Sequence, residues 1–595
     1  MKTPPPDAWN APFVLFEDAR PGGVDARLFV RPRRVVTAHS MAEVEPALQA
    51  VRAGLAEGLY AAGWMNYEAG LAFEPRLAAR APALGAAPLL WFGLFESDGR
   101  ISRSDLHRAL PDGAGAYVSP PRPRITRADY GAAFDRVKAY LEAGDVYQIN
   151  LSYRADLKIG GHPLAAYARL RESGQGGWSA AAHDGASWFL STSPELFFKL
   201  ANGAIEAKPM KGTARRGRDA AEDQRAIEDL RADPKQCAEN VMIVDLLRND
   251  ISKLAKRGSV HVPALLSVET YPTLHTLTST VRAEIEPHYD AIDVLRALFP
   301  CGSITGAPKI RAMEIIAELE PDRRGAYTGS LGWIAPDGAA EFNVAIRTIA
   351  IRNGRAEIGL GSAVVMDSTC DDEWAECRAK GAFVTAHAPG FELLETMRTG
   401  PGGVERLDLH MQRLKRSAEA LGFAFEEAAI RAALAQAGEA DAPCVLRFRL
   451  SANGAFAIDT EPLRVFPAGG AQAALAPRPV RGDDFRLLHK TSLRDFYDRA
   501  RAGCGGDEVV FFDEAGFLTE GSFTNLFVAR GGVLLTPPLS RGLLPGVLRA
   551  ELIADGRAIE ADLRAEDLKH RFLLGNSVRG LTPAQLLPNA LAQAS

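Results

Sequence analysis

The chain of 595 residues is too long for one hydrophobic core, so its length predicts roughly two to four domains. Its hydrophobic content of 47% and charged content of 24% are ordinary for a globular protein. A net charge of -5 gives no electrostatic support for a role in nucleic-acid binding.

Cysteine spacing and the N-terminal sequence indicate in which cellular compartment the protein is expected. The six cysteines show no repeated spacing and no Cys-x-x-Cys pair, which argues against a disulfide framework or a zinc site. The N-terminal MKTPPPDAWN lacks an apolar signal core, and the longest apolar stretch, APALGAAPLLWFGLF, is too short to span a bilayer. We therefore expect a cytoplasmic protein without a membrane partner.

The first 385 residues predict an α+β domain. Up to about residue 120 the pattern indicates short strands with Gly and Pro turns, such as PFVLFEDA and PLLWFGLFE. A helix is predicted over DYGAAFDRVKAYLEAG, and a long one from Ala220 to Asp250 with an interruption near Pro234. Further strands are predicted at SWFLSTSPELFFKL, FNVAIRTIAIRNG and RAEIGLGSAVV. TAHAPG, residues 385–390, is typical of a linker, so the predicted domains are 1–388 and 391–595.

Several motifs of the first domain indicate an anion site. FPCGSITGAPKIRAMEII is a glycine-rich turn leading into a helix, whose free N–H groups favour a carboxylate or phosphate. Glu373 and Glu376 share one helix face, and with Glu239 from another helix they could hold a hard cation such as Mg²⁺. Arg347 interrupts an apolar strand and would suit a substrate carboxylate. An ordinary capped helix, solvated glutamates and a structural ion pair are the alternatives.

KPMKGTARRG raises the question of what Lys211 does. Lys208, Arg215 and Arg216 surround it, and a cluster of like charge is costly unless an anion binds there. Glu195, 16 residues earlier in STSPELFF, is a candidate general acid or base.

In their order, GDVYQINLS, STSPELFF, KPMKGTARRG, AENVMIVDLLRNDI, FPCGSITGAPKIRAMEII, VAIRT and EWAECRAKG resemble the chorismate-utilising enzymes. These include anthranilate synthase component I, aminodeoxychorismate synthase component I and isochorismate synthase. The resemblance covers residues 10–388. In anthranilate synthases Ala occupies the position of Lys211, whereas aminodeoxychorismate synthases carry Lys, so Lys211 favours the latter.

That resemblance implies roles for the first set of residues. Lys211 would attack C2 of chorismate as the C4 hydroxyl leaves with help from Glu195 as general acid; ammonia would then add at C4 and expel the lysine. The carboxylates and the anion loop would bind metal and substrate. The implied magnesium ligands are Glu239 and Glu376 with Glu373 beside them, and the implied substrate contacts are Ser303, Thr305, Gly306, Arg347 and the 359–362 loop with Gly361 and Ser362. Because no glutamine-hydrolysing motif is present, ammonia would come from a separate amidotransferase subunit or from solution.

The second domain combines a lysine, an acid and a phosphate seat. LLHKTSLRDFYDRAR contains Lys490, GFLTEGSFTNLFV contains Glu520, and LSRGLLPGVLRAELI enters a helix through a glycine turn. Arg413 lies on an amphipathic helix. Pyridoxal phosphate (PLP) needs such groups, although each of them taken singly is more often structural.

Together, LETMR, HMQRL, HKTSLR, LTEGSFTNLFV, LLPGVLR and LGNSVRGL resemble the class IV, D-amino-acid and branched-chain aminotransferase fold. The resemblance implies that Lys490 is the Schiff-base lysine and Glu520 the partner of the pyridine nitrogen. The remaining implied contacts are Arg413 with Gly546, Val547 and Leu548 at the phosphate, and Asn576 and Ser577 on the substrate side.

This fold hosts both transaminases and 4-amino-4-deoxychorismate lyase. Since the lyase acts on the product expected from the first domain, the fusion favours a bifunctional 4-aminobenzoate synthase for folate synthesis, which is an argument from association. The alternatives are an anthranilate synthase fused to a transaminase, against which Lys211 argues, and a non-catalytic binding scaffold, against which the retained acids and lysines argue.

Overall fold

The computed structural model describes residues 9, 11–79, 85, 87–271, 274–386, 390–463, 466 and 469–588. The chain divides into two compact units. One comprises Met1–Pro111, Pro120–Leu157 and Tyr167–His387, and the other comprises Asp112–Ser119, Lys158–Ala166 and Ala388–Ser595. Of the predicted linker 385–390, residues 387–389 lie outside the described residues. Within the described part of the chain, no helix has both the length and the apolar character needed to cross a bilayer.

Two antiparallel sheets of ten strands each form the first unit. In spatial order the first sheet runs Gly306–Ala307, Gln148–Leu157, Arg355–Val364, Thr348–Arg352, Ser187–Ser193, Trp178–His183, Phe13–Glu17, Ala26–Val30 and Gly99–Ile101, with Arg122–Pro123 beside Gln148–Leu157. The second runs Met210–Arg215, Leu274–Glu284, Ala204–Lys208, Leu196–Ala201, Ala340–Asn343, Ser330–Ile334, Tyr60–Met65, Leu90–Phe95 and Arg34–Ala38, with His261–Thr270 beside Leu274–Glu284.

Helices pack beside these sheets and carry the predicted metal ligands Glu239, Glu373 and Glu376. The α-helices up to residue 381 are Met41–Ala56, Pro75–Ala78, Arg103–Ala109, Arg127–Glu142, Pro163–Gly174, Ala220–Ala232, Pro234–Ser252, Ala291–Leu298, Lys309–Leu319 and Cys370–Gly381. Short 3₁₀ turns occur at Tyr67–Phe73, Gly302–Ile304 and Ala382–Val384. The predicted interruption near Pro234 is confirmed: Asp233 caps the second helix and Pro234 occupies its first turn, where a missing N–H costs nothing.

Two predictions about the first unit were wrong in detail. The segment before residue 120, predicted as strands, also contains the helix Met41–Ala56, whose buried Val44, Leu48 and Val51 repeat at helical spacing around Pro46. The predicted strand through Arg347 is two strands, Ala340–Asn343 and Thr348–Arg352, which belong to different sheets. Arg347 adopts a left-handed backbone with φ 49°, which breaks the extended run where the chain changes sheets.

The second unit contains a four-stranded and an eight-stranded sheet. The four strands, in spatial order, are Gly403–Val404, Leu393–Gly400, Cys444–Leu450 and Phe456–Pro462. The eight are Leu518–Gly521, Glu508–Phe512, Ala471–Pro477, Gly580–Leu586, Phe572–Asn576, Asn525–Arg530, Val533–Thr536 and Ala558–Glu560. Its α-helices are Leu407–Leu421, Glu427–Ala437, Phe485–Leu488, Asp495–Ala502 and Val547–Ala554, and its 3₁₀ turns are Gly113–Gly115, Leu539–Arg541 and Ala565–Leu568.

A small ribbon from the first half of the chain belongs to this second unit. Tyr117–Val118 pairs with Ile159–Gly160, and the Tyr117 ring lies 5.3 Å from Phe391 and 6.1 Å from Phe485 between ring centroids. Tyr117 thereby joins the apolar cluster that includes Met397, Leu414 and Phe448. The fold of the second unit therefore draws on residues far from it in sequence.

Candidate functional sites

A buried carboxyl and a lysine of altered pKa form the centre of the first site. Glu195 is 3% exposed, and Ser303 donates a hydrogen bond to its Oε1 at 2.6 Å. Burial raises the pKa of Glu195 to about 7, although the Ser303 hydroxyl and Lys211 act in the opposite direction. A carboxyl in this state can keep its proton near neutral pH, as a general acid must.

Lys211 lies on strand Met210–Arg215 opposite Leu277. Burial lowers its pKa, and the nearby ammonium of Lys380 lowers it further, while Glu195, Glu239 and Glu376 act to raise it. The result favours the free amine, which is the nucleophilic form. Within the described residues its amine has no hydrogen-bond partner.

Two of the three cationic neighbours of Lys211 in sequence form ion pairs with carboxylates. Lys208 forms an ion pair with Glu269, and Arg216 forms one with Asp223 at 2.7 Å. The expected cluster of unpaired like charge around KPMKGTARRG is therefore reduced, with ion pairs at Lys208 and Arg216. The cation that acts on Lys211 is Lys380, which donates to the Gly361 carbonyl at 3.0 Å and pairs with Glu376 at 2.7 Å. The sequence prediction missed Lys380; its only signal was the four-residue spacing from Glu376.

The three predicted metal ligands come from two helices. Burial raises the pKa of Glu239, and Lys211 and Lys235 oppose this rise, while Glu373 and Glu376 add to it, so the three carboxylates lie within electrostatic range of one another. Ser368 donates to Oε1 of Glu373 at 2.6 Å, while its buried Oε2 has no partner among the described residues. An unsatisfied buried carboxylate oxygen is the type of ligand that a hard divalent cation prefers.

These carboxylates do not form a ready-made metal cluster. In the described part of the chain, no group of three or more His, Cys, Asp or Glu residues is close enough to hold a metal ion. Glu376 is engaged with Lys380 instead. The metal ligand set from the sequence thus stays a prediction.

The predicted anion loop is tightly built around Gly306. Ser303 lies in the turn Gly302–Ile304, and the Thr305 hydroxyl donates back to the Gly302 carbonyl at 3.1 Å. Gly306 pairs with Ile149 at φ 152°, and a Cβ there would lie 2.2 Å from the Gln148 carbonyl oxygen. No other residue fits this backbone, which brings the loop against strand Gln148–Leu157.

The remaining predicted substrate contacts differ in whether their side chains are available to bind a ligand. The guanidinium of Arg347 makes no hydrogen bond or ion pair with another described residue, and burial lowers its pKa, so it is free to meet an anion. The 359–362 segment, named as a substrate-contact loop but also included in the predicted strand RAEIGLGSAVV, is part of strand Arg355–Val364. Ser362 donates to the Glu373 carbonyl at 3.3 Å, so its hydroxyl is directed to the helix Cys370–Gly381.

In the second unit, a cavity of about 650 Å³ gathers most of the predicted PLP residues. Lys490 and Glu520 both line it. Burial and the positive charges of Arg494 and Arg413 lower the pKa of Lys490 to about 7, which favours a reactive amine. Burial raises the pKa of Glu520 to about 7, while the Tyr497 hydroxyl, which donates to its Oε1, acts against this rise. Sequence reasoning missed Tyr497, which lies on helix Asp495–Ala502 only seven residues after Lys490.

The residues predicted to bind phosphate, Arg413 and a helix start, lie together at this cavity. The Arg413 Nε donates to Glu395 at 2.8 Å, and its Nη1 lies 3.4 Å from the Pro545 carbonyl. Although burial alone would raise it, Arg413 and His410 lower the pKa of Glu395 to about 2, so this carboxylate stays ionised and orients the arginine. Gly546 and Val547 open the helix Val547–Ala554 at the cavity wall.

The other predicted cofactor residues are divided between wall and core. Asn576 and Ser577 line the cavity, and Oδ1 of Asn576 accepts from the backbone N–H groups of Val578 and Arg579 at 3.0 and 2.9 Å. Leu548 packs into an apolar cluster with Phe527 and Leu552, so only its backbone could serve a phosphate. The donor set — a lysine of lowered pKa, an acid, an arginine and a helix start around one cavity — fits PLP.

Comparisons with known proteins agree with both resemblances. The family described as chorismate binding enzyme matches residues 12–386, and amino-transferase class IV matches residues 392–587. Aminodeoxychorismate synthase component 1 of Salmonella typhimurium is 40% identical over 53% of this chain and 74% of its own length. The Bacillus subtilis protein of the same name is 39% identical over 47% of this chain and 58% of its own length.

Anthranilate synthases are similarly related. Anthranilate synthase component 1 of Aquifex aeolicus is 40% identical over 43% of this chain and 52% of its own length, so identity alone does not separate the two activities. The crystal structure of anthranilate synthase component I from Streptococcus pneumoniae covers 61% of this chain and 92% of its own, at a TM-score of 0.51 and 24% identity, which supports the fold. The chain belongs to the chorismate-binding enzyme family and carries a class IV aminotransferase domain after the chorismate-binding one.

Proposed function

We propose that this chain makes 4-aminobenzoate in two steps, by aminating chorismate at C4 and then eliminating pyruvate from the product. The observation that carries the first step is Lys211, an amine of lowered pKa beside the carboxyl of Glu195. Relatives named aminodeoxychorismate synthase component 1 support the same reaction. With alanine in place of Lys211, the chain would supply no amine nucleophile here, and ammonia would have to add directly to the chorismate ring.

In the first step, the Lys211 amine forms a bond to C2 of chorismate while the ring double bonds shift and the C4 hydroxyl leaves. Glu195 supplies the proton that converts this hydroxyl to water. Ammonia then bonds to C4, the double bonds shift back, and the bond from C2 to Lys211 breaks. Two displacements through the same conjugated system replace one substitution at a poor leaving group.

Binding groups around Lys211 would hold the substrate during both displacements. The free guanidinium of Arg347 suits one carboxylate of chorismate. Glu239, Glu373 and Glu376 would hold Mg²⁺, which when bound neutralises the charge of the other carboxylate. A glutamine amidotransferase in trans is the proposed source of ammonia.

In the second step, Lys490 acts as the base and acid of the elimination. PLP, when bound, supplies an electron sink for the charge that develops as a proton and pyruvate leave. A lysine of pKa about 7 can both take and return a proton at neutral pH. Glu520 lines the same cavity, where a cationic group bound beside it would favour its ionised form, and the Tyr497 hydroxyl donates to this carboxylate and holds it in position.

Covalent capture tests the nucleophile directly. Chorismate and Mg²⁺ without ammonium should give an adduct on the intact chain, located by peptide mass at Lys211. Lys211→Ala should form no adduct and no aminodeoxychorismate, whereas Lys208→Ala, at an amine already paired with Glu269, should keep both. Unchanged aminodeoxychorismate formation by Lys211→Ala would refute the role of this lysine.

A further inference from the structure

Several arginines line the second cavity. Besides Arg413, the lining includes Arg447, Arg494, Arg501 and Arg579. Two of these have carboxylate partners: Arg447 pairs with Glu461 at 3.1 Å, and Arg501 with Asp498 at 3.1 Å. Arg494 donates instead to the Ser522 carbonyl at 2.6 Å. Within the described residues, the guanidinium of Arg579 has neither an ion pair nor a hydrogen bond.

Aromatic rings fix the position of Arg579. Its guanidinium carbon lies 5.0 Å from the ring centroid of Phe523 and 5.6 Å from that of Phe466, and Arg501 lies 5.1 Å from the Phe523 ring. The two phenylalanine rings are stacked with centroids 5.9 Å apart. A stacked guanidinium keeps its N–H edges free for hydrogen bonding while its face is occupied.

The charges around Arg579 favour an anion. Burial lowers its pKa, and so do the positive charges of Arg501 and Arg447, whereas Glu508 acts to raise it. The carboxylate of Glu508 is itself held by Ser522 and Thr524, through the Ser522 N–H at 3.0 Å and the Thr524 hydroxyl at 2.9 Å. Three arginines with one unpaired guanidinium repel one another, and a bound carboxylate would relieve this repulsion.

Arg447 connects this cluster to the reactive lysine. Burial and the charges of Arg494 and Arg413 are the main causes that lower the pKa of Lys490, and Arg447 adds to them. Arg447 therefore lies within electrostatic range of both Lys490 and Arg579. Lys490, Arg447 and Arg579 all line the same cavity.

We infer that Arg579, supported by Arg447, binds a carboxylate of the substrate remote from the amine that reacts at Lys490, so that the second unit selects an amine carrying two carboxylates. This inference rests on the proposed function and identifies a residue that determines its specificity. In aminodeoxychorismate the ring carboxylate lies across the ring from the amine, and a bidentate arginine would fix the ring at that end. A small apolar amino acid has no group for this site.

The test supplies aminodeoxychorismate directly to purified chains loaded with PLP. Arg579→Gln should raise KM about 10- to 100-fold, the usual effect of losing a charge-assisted contact, while kcat and the visible absorbance of the cofactor change little. Arg579→Lys should give a KM between those of the wild type and Arg579→Gln, because lysine keeps the positive charge but lacks the two parallel N–H donors of a guanidinium. Arg530→Gln removes an exposed arginine paired with Asp567 and should match the wild type. A wild-type KM in Arg579→Gln would overturn the inference.

A second measurement separates this inference from the lyase assignment. Chorismate carries both carboxylates but no amine, so its binding beside the cofactor can be followed by visible absorbance in the Lys211→Ala chain without ammonium. Arg579→Gln in that background should weaken this binding at least about tenfold. Such weakening supports the inference even if wild-type chain makes no 4-aminobenzoate, a result that would refute the proposed lyase activity alone. Equal binding with and without Arg579 would overturn the inference.

Discussion

At the scale of single residues, burial gives Glu195 and Lys211 complementary protonation states. Removal from water disfavours the charged form of each, so the pKa of the carboxyl rises to about 7 and that of the amine falls. The proposed reaction needs a protonated acid and a free amine at the same time. Two groups with ordinary pKa values would be predominantly in the opposite states at neutral pH.

The pH dependence of the first reaction should report Glu195. The acid must be protonated, so kcat/KM should fall as pH rises through about 7. Ser303 donates to this carboxyl and stabilises its ionised form. Ser303→Ala should therefore raise the pKa of Glu195. The alkaline limb of the pH–rate profile should then move to higher pH, as measured by aminodeoxychorismate formation at saturating ammonium.

Ser252→Ala is the matched control, because this exposed hydroxyl bonds only to the Asn249 carbonyl at 2.7 Å. Ser252→Ala should leave the alkaline limb of the pH–rate profile unchanged. If Ser303→Ala and the wild type lose activity at the same pH, Glu195 is not the group that limits the reaction at alkaline pH.

The metal proposal is also tested at single residues. Glu239→Gln and Glu373→Gln should raise the Mg²⁺ concentration for half-maximal chorismate consumption about tenfold or more, since each removes anionic charge from the proposed site. Glu228→Gln, on the exposed face of helix Ala220–Ala232, should not change it. A wild-type magnesium response in both site variants would place the metal elsewhere.

The candidate reactive residues that lie in short sequence motifs were predictable, but the residues that interact with them in the folded chain were not. Lys211, Glu195, Lys490 and Glu520 stand in recognisable runs of sequence. Lys380 and Tyr497 act through contacts that only the folded chain creates, because each comes from a helix whose face toward the site depends on tertiary packing. The pairing of Lys208 with Glu269, 61 residues away, was likewise invisible in the sequence.

At the scale of elements, the start of helix Val547–Ala554 depends on Gly546. A Cβ on Gly546 would lie 1.7 Å from Oδ1 of Asn525, whose side-chain amide donates to the Leu544 carbonyl at 3.1 Å. The substitution must displace either this asparagine or the helix start. Because the helix start is the proposed phosphate seat, a shift there would affect cofactor binding.

We therefore expect Gly546→Ala to weaken PLP binding about tenfold or more, measured by titration of the apo-protein with PLP. Gly503→Ala is the control, because a Cβ there meets only the Arg499 carbonyl at 3.7 Å. Equal PLP affinity in Gly546→Ala and the wild type would show that this turn does not hold the phosphate.

The sequence predicted most elements and missed those that break their own pattern. Strand runs such as Phe13–Glu17 and Leu90–Phe95 lie where apolar residues and turn signals placed them. Helix Met41–Ala56 was missed because Pro46 lies inside it, and a proline in a helix interior normally predicts a break. Arg347 was placed in a strand because left-handed backbone at a non-glycine residue leaves no signal in the sequence.

At the scale of the whole molecule, the second unit depends on a ribbon from the first half of the chain. Tyr117 packs against Phe391 and Phe485 within this unit. Tyr117→Ala should cost about 1–3 kcal/mol of the stability of that unit, lowering the temperature at which the PLP absorbance is lost by roughly 2–10 °C.

Tyr147→Ala is its control, because that side chain is 68% exposed in the first unit. It should leave the PLP transition unchanged. A Tyr117→Ala chain with wild-type thermal loss of the cofactor would show that the ribbon adds nothing to the stability of the second unit. In that case residues 390–588 alone would contain its stabilising core.

The most direct test of the account is the identity of the aromatic product from chorismate, Mg²⁺, ammonium and PLP-loaded chain, determined by chromatography and mass spectrometry. The account predicts 4-aminobenzoate and pyruvate from the wild type. It predicts accumulation of aminodeoxychorismate in Lys490→Ala, which loses the reactive amine of the second site but keeps the first site intact. Formation of 2-aminobenzoate by the wild type, or of 4-aminobenzoate by Lys490→Ala at the wild-type rate, would contradict it.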